Sequence, residues 1–243
     1  SENEEEEEEE EEGEGEGEKE KEEGEGENKW GLIGTSALLH LISHLISEPI
    51  FDQLRTKEQL GYIVHNAVCK VGNITAMRVI VQSNGCDGAA LDERIEAFLV
   101  SFRDLLLSLS PEDLQSNINA VREKLLEKHK NLDEETSATW TEISNSTYLY
   151  NRKILLAEYL SSITLSHILS FYDFYLSPTS TNRKKFSSQF YGANSNIPIL
   201  SEKQREKEKK RNKKIYIIDP ALFKSSLSLC SAPNYVDNID VEM

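Results

Sequence analysis

Two runs rich in Val, Ile and Tyr, Tyr62–Lys70 and Ile74–Ser83, stand either side of Val71-Gly72-Asn73, which is turn chemistry. Such a segment pairs with itself, and it predicts a β-hairpin with one or both faces buried. The other apolar patterns are helical. From Thr35, residues Leu38, Leu39, Leu41, Ile42, Leu45 and Ile46 form a broad apolar face, with Ser36, His40, Ser43, His44 and Ser47 on the other side. Pro49 is expected to break or restart that helix, and a short second turn through Phe51 and Leu54 gives out near Gly61. After the hairpin, Leu91, Ile95, Phe98, Leu99, Phe102, Leu105, Leu106 and Leu109 keep helical spacing. Ser110 with Pro111, Glu112 and Asp113 reads as the start of a helix whose core stripe is Leu114, Ile118, Val121 and Leu125. A third helical region is predicted from about Glu134 to Tyr148, and Thr164 as the cap of a helix carrying Leu165, Ile168, Leu169, Tyr172 and Tyr175. Ile215–Ile218 reads as a short late strand closed by Asp219-Pro220. The fold class that fits is α+β, an antiparallel sheet with helices layered on one face. A complete domain of that kind has more than three strands, so strands are expected to be missing upstream.

Charge is informative only once it is located. The formal net charge of −16 is wholly accounted for by residues 1–28, which hold eighteen glutamates and two lysines. The remainder is neutral, so the total supports neither an acidic domain nor a nucleic-acid mimic. The Glu/Gly tract repels itself and has almost nothing apolar to offset the entropy of ordering, and it reads as disordered, either a solvated linker or an acidic docking tail. Domain organisation is therefore read as 1–28, acidic tract, and 29–243, folded domain, with a polar and basic insertion at about 179–214. That insertion ends in eight basic residues between Lys203 and Lys214. It has neither interleaved aromatics nor an RNA-binding signature, so no nucleic-acid partner is expected. Three cysteines, Cys69, Cys86 and Cys230, are too few and too odd in number for a disulfide framework. With no secretory leader and no apolar run approaching the ~18 residues of a membrane span, the expected setting is cytoplasmic, with no membrane partner. The opening on Ser1 rather than Met reads as a piece of something longer.

Common catalytic constellations are missing from the sequence. His40 and His44 stand one helical turn apart, but Leu41-Ile42-Ser43 between them supplies no carboxylate, and a polar helix face is the better account. No His-Glu-x-x-His, His-x-x-Glu-His, Gly-x-Ser-x-Gly or phosphate-binding glycine loop is present. Cys69 and Cys86 carry no nucleophile signature. One segment stands apart, Phe51-Asp52-Gln53-Leu54-Arg55-Thr56-Lys57-Glu58-Gln59-Leu60-Gly61-Tyr62-Ile63-Val64, which joins a helix end to a strand start. Such a junction holds side chains rigidly while letting them reach a ligand. An arginine there grips a peptide carbonyl or carboxylate with a fixed fork, and a tyrosine hydroxyl donates to an oxyanion. A polar turn with local ion pairs is the competing account.

The stretch Leu54 to Val64 closely resembles a signature of the insulin-degrading family of zinc metallopeptidases, the insulinase or pitrilysin group. Ile46-Ser47-Glu48-Pro49, Val81-Gln82-Ser83, Arg94-Ile95-Glu96-Ala97-Phe98-Leu99 and Trp140-Thr141-Glu142-Ile143 follow in the order of that family. The likeness runs from about Leu38 to Tyr175 and returns faintly around Ser231-Ala232-Pro233. It implies an insulinase or mitochondrial-processing-peptidase-like domain, in an enzyme built from four related domains arranged as two halves around a closed chamber. Zinc belongs to the first domain in that family, on an inverted His-x-x-Glu-His helix. The resemblance therefore implies the fourth, C-terminal domain of a zinc metalloendopeptidase, inactive alone and binding no zinc itself. Its expected partners are peptide substrates and the N-terminal half of the same enzyme. The residues carried over are Arg55, fixing the peptide backbone, and Tyr62, holding the carbonyl oxygen as negative charge develops. Lys57 and Glu58 receive no role. The alternative is a non-catalytic peptidase-like subunit acting in interaction or peptide binding.

Overall fold

The computed structural model describes residues 31–71, 74–192, 206, 215–217 and 219–227. The acidic tract, Gly72 and Asn73 at the hairpin tip, the basic run apart from Glu206, Ile218 and Cys230 lie outside the described residues.

The chain enters on α1 (Gly31–Phe51), the central element. Ala37, Leu38, Leu41, Ile42 and Ile46 are fully buried, because the helix is covered by the hairpin on one side and by later helices on others. Its small positions follow from this enclosure. A β-carbon at Gly34 would fall 2.6 Å from the Tyr159 ring. The side read as polar is partly interior. Ser36 is buried and pairs its hydroxyl with that of Thr75 (3.2 Å), while Asn66 donates to the Ser43 carbonyl (2.6 Å) and hydroxyl (2.9 Å).

Pro49 does not break the helix, contrary to expectation. It sits in the last turn of α1, flanked by Ile46 and Ile50, both buried, and that burial outweighs the local cost of a missing N–H. The backbone then widens into a π-helical turn, Asp52–Lys57, around fully buried Leu54.

Strands β1 (Ile63–Val71) and β2 (Ile74–Gln82) form an antiparallel hairpin in which Val64 faces Val81, Asn66 faces Val79 and Val68 faces Met77. These pairs pack on α1. The opposite face, with Ile63, His65, Ile74 and Ile80, is exposed, so one face and not both is buried. Among the described residues the sheet has these two strands.

Helices α2 (Gly88–Leu107) and α3 (Pro111–Leu126) follow. The Asp87 carboxylate caps the first by accepting from Ala90 N (2.8 Å), and Ser110 caps the second by accepting from Asp113 N (3.1 Å). Phe98, Leu99, Phe102 and Leu106 bury the inner face of α2, and Leu114, Ile118 and Val121 that of α3. The third helical region is shorter than predicted. Helix α4 (Leu132–Ser144) buries no residue, and Trp140 is 65% exposed. A separate helix that the periodicity does not reveal, α5 (Arg152–Leu160), buries Leu156, Ala157 and Leu160 against α1 and α3.

Thr164 caps α6 (Leu165–Phe171) as predicted, and a second wide turn, Tyr172–Leu176, continues it. Tyr172 is wholly buried, and its hydroxyl donates to the Leu99 carbonyl. Arg103 donates to both oxygens of Asp173 (2.7 and 2.8 Å), closing α2 onto this turn. The chain then lies along α2, where Arg183 donates to Glu96 (2.5 and 2.9 Å) and Lys185 to Asp92 (2.7 Å). Ile215, Tyr216 and Ile217 adopt no regular secondary structure, so the expected strand is not seen in the described residues. Asp219-Pro220 instead opens a short helix, α7 (Pro220–Ser225), with the Asp219 carboxylate capping Ala221 N and Leu222 N.

Candidate active site

The α1–β1 junction is where the sequence places Arg55 and Tyr62, and the structure brings them together. Arg55 lies on the wide turn with its guanidinium carbon 4.9 Å from the centroid of the Phe51 ring and 5.3 Å from that of Tyr62. These are cation–π distances, and they place a cation between two aromatic rings at the surface. Arg55 is exposed and Tyr62 is 74% exposed. No hydrogen bond or ion pair among the described residues engages the Arg55 guanidinium or the Tyr62 hydroxyl, so both polar heads face outward with donor capacity to spare.

Behind these exposed heads the backbone is held tightly. Leu54, immediately before Arg55, is fully buried. Glu58 N donates to the Gln53 carbonyl (3.0 Å) and Leu60 N to the Leu54 carbonyl (2.9 Å). Gln59 has a left-handed backbone with φ of 53°, a conformation in which non-glycine residues are uncommon. At Gly61 a β-carbon would overlap the Gln82 carbonyl oxygen, so only glycine lets the chain approach β2 this closely. Tyr62 N donates to that same carbonyl (2.9 Å). Lys57 pairs with Asp52 across the wide turn (2.7 Å).

Glu58, given no role from the sequence, is central to this arrangement. Its carboxylate accepts two bonds from Arg94 of α2, from Nε to Oε2 (2.7 Å) and from Nη2 to Oε1 (2.5 Å), and a third from Gln53 Nε2 to Oε1 (2.6 Å). The hydrogen bonds from Arg94 hold the Glu58 carboxyl below its ordinary range, with the guanidinium charge and the Gln53 amide acting the same way. Periodicity offers no signal for this contact, because its partners lie 36 residues apart.

A second charged cluster also escapes the sequence. Glu142 of α4 accepts from Arg152 (2.7 and 3.0 Å) and from the Thr147 hydroxyl, with Lys70 of β1 3.6 Å away. Burial pushes the Glu142 carboxyl up, but hydrogen bonds from Arg152 and Thr147 and the charges of Arg152 and Lys70 outweigh it and hold it at about 2.

The histidines of α1 do not form a metal centre. His40 is half-buried, and burial with the Lys124 charge lowers its pKa, whereas His44 is exposed. No group of three or more His, Cys, Asp or Glu among the described residues is placed to hold a metal ion. The donors among the described residues are not gathered into a set that fits zinc. Cys69 is partly buried and Cys86 exposed. No single helix among the described residues is long and apolar enough to cross a membrane.

Comparison with known proteins decides the family. The family described as PQQ synthase PqqF-like, C-terminal lobe domain 4, matches residues 41–140, which include the whole α1–β1 junction. This chain carries a C-terminal domain of the insulinase family. It is 34% identical over 165 residues to the peroxisomal insulin-degrading enzyme-like 1 of Arabidopsis thaliana, covering 68% of this chain and 17% of that protein. It is 36% identical over 149 residues to the insulin-degrading enzyme of Mus musculus, covering 61% and 14%. A Schizosaccharomyces pombe protein named as a zinc protease is 32% identical over 198 residues, covering 82% and 19%. A crystal structure of pitrilysin superposes with a TM-score of 0.52 at 25% identity, covering 58% of this chain and 15% of that one. The chain thus spans less than a fifth of the length of these relatives. The α+β insulinase-like fold is the one observed.

Proposed function

We propose that this insulinase-family domain serves as the C-terminal substrate-chamber domain of an insulin-degrading-type zinc metalloendopeptidase that hydrolyses peptides. In this reading the domain is not catalytic alone. Zinc is held by the N-terminal half, and Arg55 and Tyr62 complete that site. The observation that carries the reading is the α1–β1 junction itself, where an arginine and a tyrosine share one surface, with free donors, on a backbone that has no slack. Arg55 donates to backbone carbonyls of an extended peptide, its fork oriented by the flanking rings. The Tyr62 hydroxyl donates to the carbonyl oxygen of the scissile bond as that oxygen gains charge. Such a donor acts on the transition state more than on the ground state, so it raises turnover more than affinity. A cytoplasmic setting suits three cysteines without a disulfide framework.

The test is Tyr62→Phe in the full-length polypeptide, assayed on a fluorogenic peptide. Turnover is expected to fall by about 100- to 1,000-fold with an unchanged unfolding midpoint, the scale of losing one preorganised oxyanion donor. Unchanged cleavage would remove Tyr62 from the site, and an absence of cleavage by the unsubstituted polypeptide would leave a non-catalytic, peptide-binding subunit as the better description.

A further inference from the structure

We propose that Glu58 and Arg94 are positioning residues, a clamp between the wide turn and α2 that sets how Arg55 is presented to Tyr62. The proposal rests on the assignment of Arg55 and Tyr62 to the site.

The argument starts from what holds each of the two exposed side chains. Tyr62 is fixed from the sheet side, through its N–H to the Gln82 carbonyl and the close approach of Gly61 to the same atom. Arg55 is fixed from the helix side, and there fully buried Leu54 is one anchor. The backbone bonds of the wide turn, Glu58 N to the Gln53 carbonyl and Leu60 N to the Leu54 carbonyl, and the Lys57–Asp52 pair tie the turn to itself and not to another element. The second anchor is the Glu58 carboxylate. It accepts from Gln53, two residues before Arg55, and twice from Arg94, on a different helix. One group therefore ties the stretch around Arg55 to itself and to α2, and two anchors fix a direction.

The chemistry of the contact suits positioning. A side-by-side arginine–carboxylate pair constrains angles as well as distance, and a third donor removes the remaining freedom of the carboxylate. The Arg94 side chain is about half exposed, so solvent screens its charge and limits what the pair adds to overall stability. Downstream, the left-handed backbone at Gln59 leads directly into the Gly61 contact, so a shift at Glu58 is not absorbed before Tyr62.

Two measurements test the clamp. In this chain, the Arg55 Nε–Hε resonance, assigned by its loss in Arg55→Lys, is displaced by the ring currents of Phe51 and Tyr62. Arg94→Ala and Glu58→Gln are each expected to move it toward the position of a free arginine, with Arg94→Lys in between and the unfolding midpoint nearly unchanged. A resonance that stays in place in both variants overturns the clamp. In the full-length polypeptide, Arg94→Ala is expected to lower kcat/KM for peptide cleavage about tenfold, as a small misplacement of a substrate contact does. In an Arg55→Ala background the same change is expected to cost less than about twofold. An equal loss in both backgrounds marks a merely structural role and overturns the proposal. A displaced resonance together with full activity of Tyr62→Phe upholds the clamp and removes the transition-state role of Tyr62, so the two fail separately.

Discussion

Gly61 is the tightest point of the segment that carries Arg55 and Tyr62. A β-carbon there meets a backbone carbonyl, which cannot swing aside as the end of a side chain can. Gly61→Ala is expected to destabilise the fold by about 1–3 kcal/mol, the range for overpacking, whereas Gly85→Ala, with open space around it, is expected to change little. Urea unfolding of the two variants checks the contrast, and equal midpoints would show that β2 yields to the new methyl. At this scale the sequence was informative about type and silent about partner. Arg55 and Tyr62 stand out because an arginine fork and a tyrosine hydroxyl share one short junction segment. The Arg94–Glu58 contact and the Lys70–Glu142 contact do not, because nothing in a local pattern states which distant charge will be opposite.

Among the elements, legibility followed local chemistry. Ser110-Pro111 and Thr164 marked helix starts correctly, since a cap is made by residues within three positions of one another. Ser110→Ala is expected to cost about 1 kcal/mol and Ser110→Asn almost nothing, measured by thermal unfolding; equal losses in both would deny the hydroxyl its capping role. Pro49 does not end α1, because its local penalty is outweighed by the burial of Ile46 and Ile50 around it. Helix α5 was missed because its buried set, Leu156, Ala157 and Leu160, is short and needs α1 and α3 beside it to make sense. Ile215–Ile217 carries strand-forming residues, yet a strand also requires a neighbour to pair with, and no ladder forms there among the described residues. The same dependence on neighbours sets the cost of truncation. Ile42→Ala, at the centre of α1, is expected to destabilise by about 2–5 kcal/mol, and half-exposed Ile154→Ala by far less.

Across the whole molecule, the Glu142 cluster joins β1, α4 and the start of α5, and it makes stability depend on pH. Its folded-state carboxyl titrates at about 2 against an ordinary value of 4.5, so unfolding takes up a proton anywhere between. This contribution is fully present above about 4.5 and is lost as the pH falls toward 2. Glu142→Gln is expected to flatten the acid limb of the stability curve and to lower the plateau, because Arg152 and Lys70 then face each other without their shared counter-charge. An acid limb of unchanged slope would assign the linkage to other carboxylates. By itself, the sequence determined the hairpin, the long helices with the Ser110 and Thr164 caps, and the neutrality of residues 29–243, and it singled out the segment of Arg55 and Tyr62. All of these rest on interactions that are local or on residue chemistry that is specific. The tertiary structure alone decided that α1 is enclosed by hairpin and helices, that one sheet face stays open, and that Glu58 reaches Arg94. Those outcomes depend on which surfaces meet, and burial and charge pairing take their energy from neighbours that are distant in the chain.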